Sequence, residues 1–162
     1  GGSQRYFNRI WLIDKGLIMG SYDKVHLVPF GEYVPLARLL KPFVGKLTEG
    51  VSDFSTADAQ ARPIEDIGVL ICFESLFPDM SRRLCRQGAA YLVNASNDAW
   101  FSTWSASEQL LAMSAFRSVE TRRYLVRPVN HGISAGIDPK GRLLGADLPL
   151  AVRLGLQPDG SA

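Results

Sequence analysis

A cysteine at the end of an apolar run is the residue best suited to chemistry in this chain of 162 residues. Val69, Leu70 and Ile71 lead into Cys72, and Glu74 follows closely. A helix expected over residues 76–87 would place Cys72 between a strand end and a helix start. Open α/β sheets gather their reacting groups at such points. A helix N-terminus behind Cys72 would favour the thiolate, the nucleophilic form of the side chain. The competing reading is a space-filling core cysteine, which free cysteines commonly are.

Other side chains could join it. Lys24 and Glu32 flank a loop punctuated by Pro29, Gly31 and Pro35. A fixed ammonium aimed at a developing oxyanion is a large catalytic term, and Glu32 could hold it in place. Taken without context, the two read rather as a surface ion pair worth little. Asn97, Trp100 and Phe101 follow an expected strand and suit either a pocket wall or a packed loop. His26 and His131 have no evident carboxylate partner in the sequence and read as structural. Gly132-Ile133-Ser134-Ala135-Gly136 has the letters of a nucleophile elbow, but that elbow needs a strand before its serine and a helix after it. Here a strand and the turn Asp138-Pro139-Lys140-Gly141 follow, so Ser134 is read as a strand residue.

Composition removes several classes. A formal charge of +2 and no basic run interleaved with aromatics argue against nucleic acid. Two cysteines make no disulfide scaffold, and with two histidines at unrelated spacings they make no zinc signature. No metal or cofactor is expected. No apolar stretch reaches the length of a membrane span, and the first residues lack the pattern of a signal peptide.

The elements that must position these residues read in order. Strands over 6–13 and 17–22 form a hairpin around Asp14-Lys15-Gly16. A loop carries Lys24 and Glu32, a short helix spans 36–40, and residues 46–62 are polar and irregular. Ile67–Ile71 is a strand without polar alternation, as expected when both faces are covered. After the helix over 76–87 comes a strand over 89–93 and a loop over 94–104. A helix then runs to about Arg123, with Leu110, Met113, Phe116 and Val119 on one face. Strands over 124–129, 133–137 and 142–146 close the chain. The order implies an α/β fold, a mixed sheet with helices on one face and the other face bare.

The combination resembles the carbon–nitrogen hydrolase (nitrilase) superfamily, in particular its apolipoprotein N-acyltransferase branch. Four segments carry the resemblance: residues 22–35, reading YDKVHLVPFGEYVP; residues 71–78, reading ICFESLFP; residues 97–101, reading NDAWF; and residues 127–134, reading RPVNHGIS. It extends from about Tyr6 to Gly145. It implies a nitrilase-like α-β-β-α sandwich, with residues 1–162 forming one partial domain incomplete at both ends. It also implies Cys72 as nucleophile, Lys24 as oxyanion stabiliser with the backbone N–H of Phe73, Glu32 orienting Lys24, and Glu74 lining the site. The implied partners are a phospholipid acyl donor and an apolipoprotein acceptor. The implied setting is the bacterial inner membrane, reached through segments outside this chain, with the domain facing the periplasm.

The departures from the family pattern are specific. The family's general-base glutamate precedes the first strand, and residues 1–22 contain no Glu, so the 162 residues alone are expected to be inactive. Phe73 stands where a tyrosine is expected, and Ser107-Glu108-Gln109-Leu110 stands where the family usually has a histidine near that glutamine. The alternatives are a soluble amidase or carbamoylase of the same superfamily and a nitrilase-like module without catalysis.

Overall fold

The computed structural model describes residues 5–29, 31–33, 54–55, 61–100 and 104–146. The helix expected over 36–40, most of the polar stretch 46–62 and Phe101 lie outside them. Two strands, β1 (Arg9–Asp14) and β2 (Leu17–Asp23), form the expected antiparallel hairpin. Gly16 takes φ +82° in its turn, a conformation that glycine adopts without a Cβ clash. The hairpin turns Tyr22, Ile10 and Leu12 into the core and leaves Trp11, Ile13, Leu17, Ile18 and Met19 exposed.

The main sheet has six strands. β3 (Ile67–Ile71) pairs in parallel with β4 (Tyr91–Asn97), and β4 pairs in parallel with β5 (Leu125–Arg127) and β6 (Val129–Asn130). β7 (Ala135–Ile137) and β8 (Leu143–Ala146) extend the sheet antiparallel. Pro128 divides the strand expected over 124–129, because it has no N–H to give the ladder. Helices α1 (Pro78–Arg86) and α2 (Trp104–Thr121) supply the helical layer. This is the mixed α/β sheet that the sequence implied.

The core is continuous from β3 to β7. Leu70, Leu84, Leu92, Leu125, Ile133 and Ile137 are all buried to within about one per cent. Gly68 is needed at the helix–sheet contact: a Cβ there would lie 2.6 Å from Leu92 and 3.2 Å from Leu84. The bare face is also present. Tyr124, Val126 and Leu144 are about half exposed on the side of the sheet away from the helices.

Three expectations are corrected. The helix expected over 76–87 begins at Pro78, after a 3₁₀ turn over Cys72–Leu76. Proline fits the first helical position and forces the preceding Phe77 into an extended conformation. Cys72 therefore has a 3₁₀ turn behind it, and the helix-dipole argument for its thiolate does not hold. The strand expected over 89–93 runs on to Asn97 instead of giving way to a loop at Asn94. Asn94 stays in the strand, fully buried, because its side chain donates to the carbonyls of Leu70 and Cys72. Finally, α2 buries Leu110, Leu111, Ser114 and Ser118, while Phe116 and Val119 face outward. The buried serines are tolerated because Ser114 donates to the Leu110 carbonyl and Ser118 to the Arg123 carbonyl.

Candidate active site

Cys72 sits at φ +50°, in the left-handed region that side chains with a Cβ avoid. Its surroundings hold it there. The Cys72 carbonyl accepts from Ser75 Oγ and from Asn94 Nδ2, both at 3.2 Å. The turn thus lifts a half-buried thiol off the end of β3 while its backbone is fixed from two sides.

Glu74 fastens this turn to the loop carrying Lys24. It is fully buried. Its Oε2 accepts the backbone N–H of Ile71 at 2.7 Å, and its Oε1 accepts those of Val25 at 2.7 Å and His26 at 3.0 Å. The hydroxyl of Tyr22 lies 3.0 Å from both carboxylate oxygens. Burial raises the Glu74 pKa above the usual carboxylate range, against the lowering effect of these donors. Burial, with the neighbouring Glu74 charge, raises the Tyr22 pKa too. Glu74 joins the two chain segments through three donors, holds its own turn through the Ile71 N–H, and is fully buried, away from the cavity that Cys72 lines.

Lys24 is 1% exposed, and its Nζ lies 2.7 Å from both oxygens of Glu32. Glu32 is fixed in turn by Asn8 Nδ2 at 2.9 Å and by the backbone N–H of Val28 at 2.8 Å. A buried ammonium with so organised a partner is no surface ion pair, and that reading falls away. Glu32 and Cys72 line the same cavity, of about 620 Å³, with Ile10, Val28, Ser96 and Asn97. The cavity sets apolar Ile10, Val28, Phe54 and Ile71 beside polar Asn8, Arg9, Ser96 and Asn97, with Cys72 among its lining residues.

The remaining sequence candidates separate. Asn97 ends β4 at the rim of this cavity, where its Oδ1 accepts the N–H of Ala99. Trp100 closes the 3₁₀ turn Asp98–Trp100. The ring of Phe73 points into a second cavity of about 560 Å³, edge-on to Phe77 at 5.4 Å. His26 packs its ring on Phe77 at 4.3 Å, and His131 is exposed beside Asn130. Ser134 exchanges hydrogen bonds with the backbone of Val129, as befits a structural serine. Among the described residues no cluster of three or more His, Cys, Asp or Glu side chains could hold a metal. Glu32 is the only carboxylate among the described residues lining the Cys72 cavity, and it is committed to Lys24.

Sequence reasoning did not single out the buried pair Asp98–Arg127. Arg127 Nη2 lies 3.0 Å from Asp98 Oδ2, with both side chains almost wholly inaccessible. The pair links the segment over 97–101 to the segment over 127–134. A charged residue in each of two motif-like segments was the available signal.

Residues 1–150 match the family model described as carbon-nitrogen hydrolase. An apolipoprotein N-acyltransferase of Geobacter metallireducens is 47% identical over 150 residues, covering 90% of this chain and 28% of the relative. One from Pseudomonas aeruginosa PAO1 is 37% identical over 147 residues, with 88% and 28% covered. The chain thus spans just over a quarter of the length of these curated relatives. Among solved structures, a carbon-nitrogen hydrolase from Helicobacter pylori G27 superimposes with a TM-score of 0.68 at 16% identity, covering 88% of this chain and 53% of that one. The NitFhit protein of C. elegans gives a TM-score of 0.67 at 23% identity, over 88% and 35% of the two chains. These likenesses establish the nitrilase-type fold.

Proposed function

Since the chain belongs to the carbon–nitrogen hydrolase family, we propose that it is the catalytic part of an apolipoprotein N-acyltransferase, with Cys72 as the nucleophile that carries the acyl chain. The observation that carries this reading is the buried Lys24–Glu32 pair, whose Glu32 lines the cavity that Cys72 also lines. The relatives at 37–47% identity support the choice of acyl transfer over hydrolysis.

In the first half-reaction the Cys72 sulfur attacks the carbonyl of a phospholipid ester. The carbonyl oxygen becomes an oxyanion, which Lys24 Nζ and the backbone N–H of Phe73 stabilise. The tetrahedral species collapses, the C–O bond breaks, and the lysophospholipid alcohol leaves with the proton that the thiol gave up. In the second, the free α-amine of a diacylglyceryl-cysteine attacks the thioester. The amide forms, the C–S bond breaks, and the amine's proton returns to Cys72. Each half-reaction needs a base to carry its proton. The family pattern assigns this to a glutamate that precedes the first strand, which leaves Glu32 to orient Lys24 and Glu74 to hold the turn. The membrane setting and the periplasmic side belong to this same reading. No helix among the described residues is long and apolar enough to cross a membrane.

The test is single-turnover labelling of the full-length protein with phosphatidylethanolamine carrying a radiolabelled acyl chain. The expected result is a hydroxylamine-sensitive label on Cys72 that moves to a diacylglyceryl-cysteine peptide when the peptide is added. Hydrolysis of short amides with no labelled Cys72 would replace this reading with an amidase.

A further inference from the structure

The Asp98–Arg127 pair belongs to a closed ring of hydrogen bonds that follows directly on the Ser96–Asn97 end of β4, which lines the Cys72 cavity. Asp98 Oδ2 accepts from Ser107 Oγ at 2.5 Å and from Arg127 Nη2 at 3.0 Å. Ser107 Oγ accepts the backbone N–H of Ile133 at 3.1 Å, and the carbonyl of Ile133 accepts from Arg127 Nη1 at 2.7 Å. The ring therefore runs Asp98, Ser107, Ile133, Arg127 and back to Asp98. It ties the end of β4 to α2 and to the segment before β7. Gly132 closes against it: a Cβ there would lie 2.7 Å from Asp98 Oδ2 and 2.7 Å from Ser107 Oγ.

The other oxygen of Asp98 reaches toward the site. Asp98 Oδ1 accepts from Ser96 Oγ at 2.5 Å, and Ser96 lines the Cys72 cavity beside Asn97. We infer that this buried ring is a positioning device, with Asp98 and Arg127 setting the Ser96–Asn97 wall at the distance from Cys72 that an acyl chain requires. Stability alone is a weak reason for burying the two charges, because such a pair is often no more stable than an apolar replacement. The ring's polar members instead define one geometry for a strand end that must face substrate. None of the four touches the reacting atoms, so their effect passes through Ser96 and Asn97. The inference rests on the acyltransferase reading for the identity of the chain, and on the ring's geometry for its role.

The experiment compares two reagents that alkylate Cys72 in the full-length protein, iodoacetamide and a hexadecyl chloroacetamide. The readout is the ratio of their rates, alongside the thermal midpoint. Two variants are used: Ser107→Ala, which opens the ring but keeps the ion pair, and the double variant D98L/R127M, which replaces the pair by apolar side chains. The expected result is a fall of roughly tenfold or more in the long-chain to short-chain ratio in folded protein, with iodoacetamide labelling near wild type. A merely structural ring would lower the midpoint and leave the ratio alone. A wild-type ratio in folded Ser107→Ala overturns the inference, and this variant decides the matter if the double variant does not fold. Absence of phospholipid-to-peptide transfer in the wild type would overturn the functional reading instead, and the labelling ratio would still judge the ring.

Discussion

The hydroxyl of Tyr22 stands 3.0 Å from both carboxylate oxygens of Glu74, across 52 residues of sequence. This contact brings the strand that leads to Lys24 against the turn that presents Cys72. Removing it in Tyr22→Phe leaves Glu74 with its three backbone donors. The expected cost is about 1.5–3 kcal/mol, the usual range for one hydrogen bond to a charged group. Glu74→Gln should cost more, because its amide –NH₂ would be forced against backbone N–H groups that need an acceptor. Equilibrium urea unfolding of the full-length protein checks both. A Gln variant as stable as wild type would remove Glu74 from its place as the joint between the two segments.

The same carboxyl carries a pH dependence. Burial raises its pKa in the folded state above the ordinary glutamate value of 4.5, so the folded protein holds this proton more tightly than the unfolded chain does. The stability this contributes is fully present below about 4.5 and is lost as pH rises through the raised folded value. Above that value the contribution is constant. Wild type compared with Glu74→Gln should therefore lose relative stability as pH rises from about 4.5, and then level off. Unfolding free energies of the two proteins across pH 4 to 8 measure this. A wild-type advantage that grows with pH would mean that the backbone donors outweigh burial.

Lys24 is buried against Glu32 and beside the Cys72 cavity, and its removal should act twice. Lys24→Ala leaves a carboxylate without its ammonium, which costs about 3–5 kcal/mol when such a pair is broken inside a protein. On the proposed mechanism it also removes the cation that stabilises the oxyanion, with a loss of roughly 10²–10³ in the rate of thioester formation. Glu32→Gln separates the two effects, since the ammonium survives but is less firmly held. Single-turnover acylation should fall less in Glu32→Gln than in Lys24→Ala. The reverse order would make Glu32 the group that acts on the substrate.

How far the sequence reached depended on whether a feature was local. The unbroken apolar run of β3 fixed that strand at its observed bounds, Ile67–Ile71. Pro78 marked the true start of α1, but the apolar spacing through Leu76 concealed it. The inward face of α2 was misread because Ser114 and Ser118 look solvent-facing until their hydrogen bonds are seen. Lys24 and Glu32 were legible as a pair, being eight residues apart, whereas their burial was not. Asp98 and Arg127 are 29 residues apart, and no periodicity links them. Their meeting follows from β4 and β5 lying side by side, which only the tertiary fold decides.

Cys72 offers a separation of stability from function. Its φ of +50° puts a residue with a Cβ in a region that costs roughly 1–2 kcal/mol and suits glycine. Cys72→Ala keeps the Cβ and so keeps the strain, whereas Cys72→Gly releases it. The glycine variant should therefore unfold at higher urea than the alanine variant, by about 1 kcal/mol, although glycine adds entropy to the unfolded chain. Both variants should form no thioester. The held carbonyl, with Ser75 and Asn94 each at 3.2 Å, explains how the strained turn persists: the surrounding groups fix the backbone whatever the side chain is. If the alanine variant proved the more stable of the two, the turn would be storing no strain at Cys72. The position of the half-buried thiol at the end of β3 would then need a cause outside its own backbone.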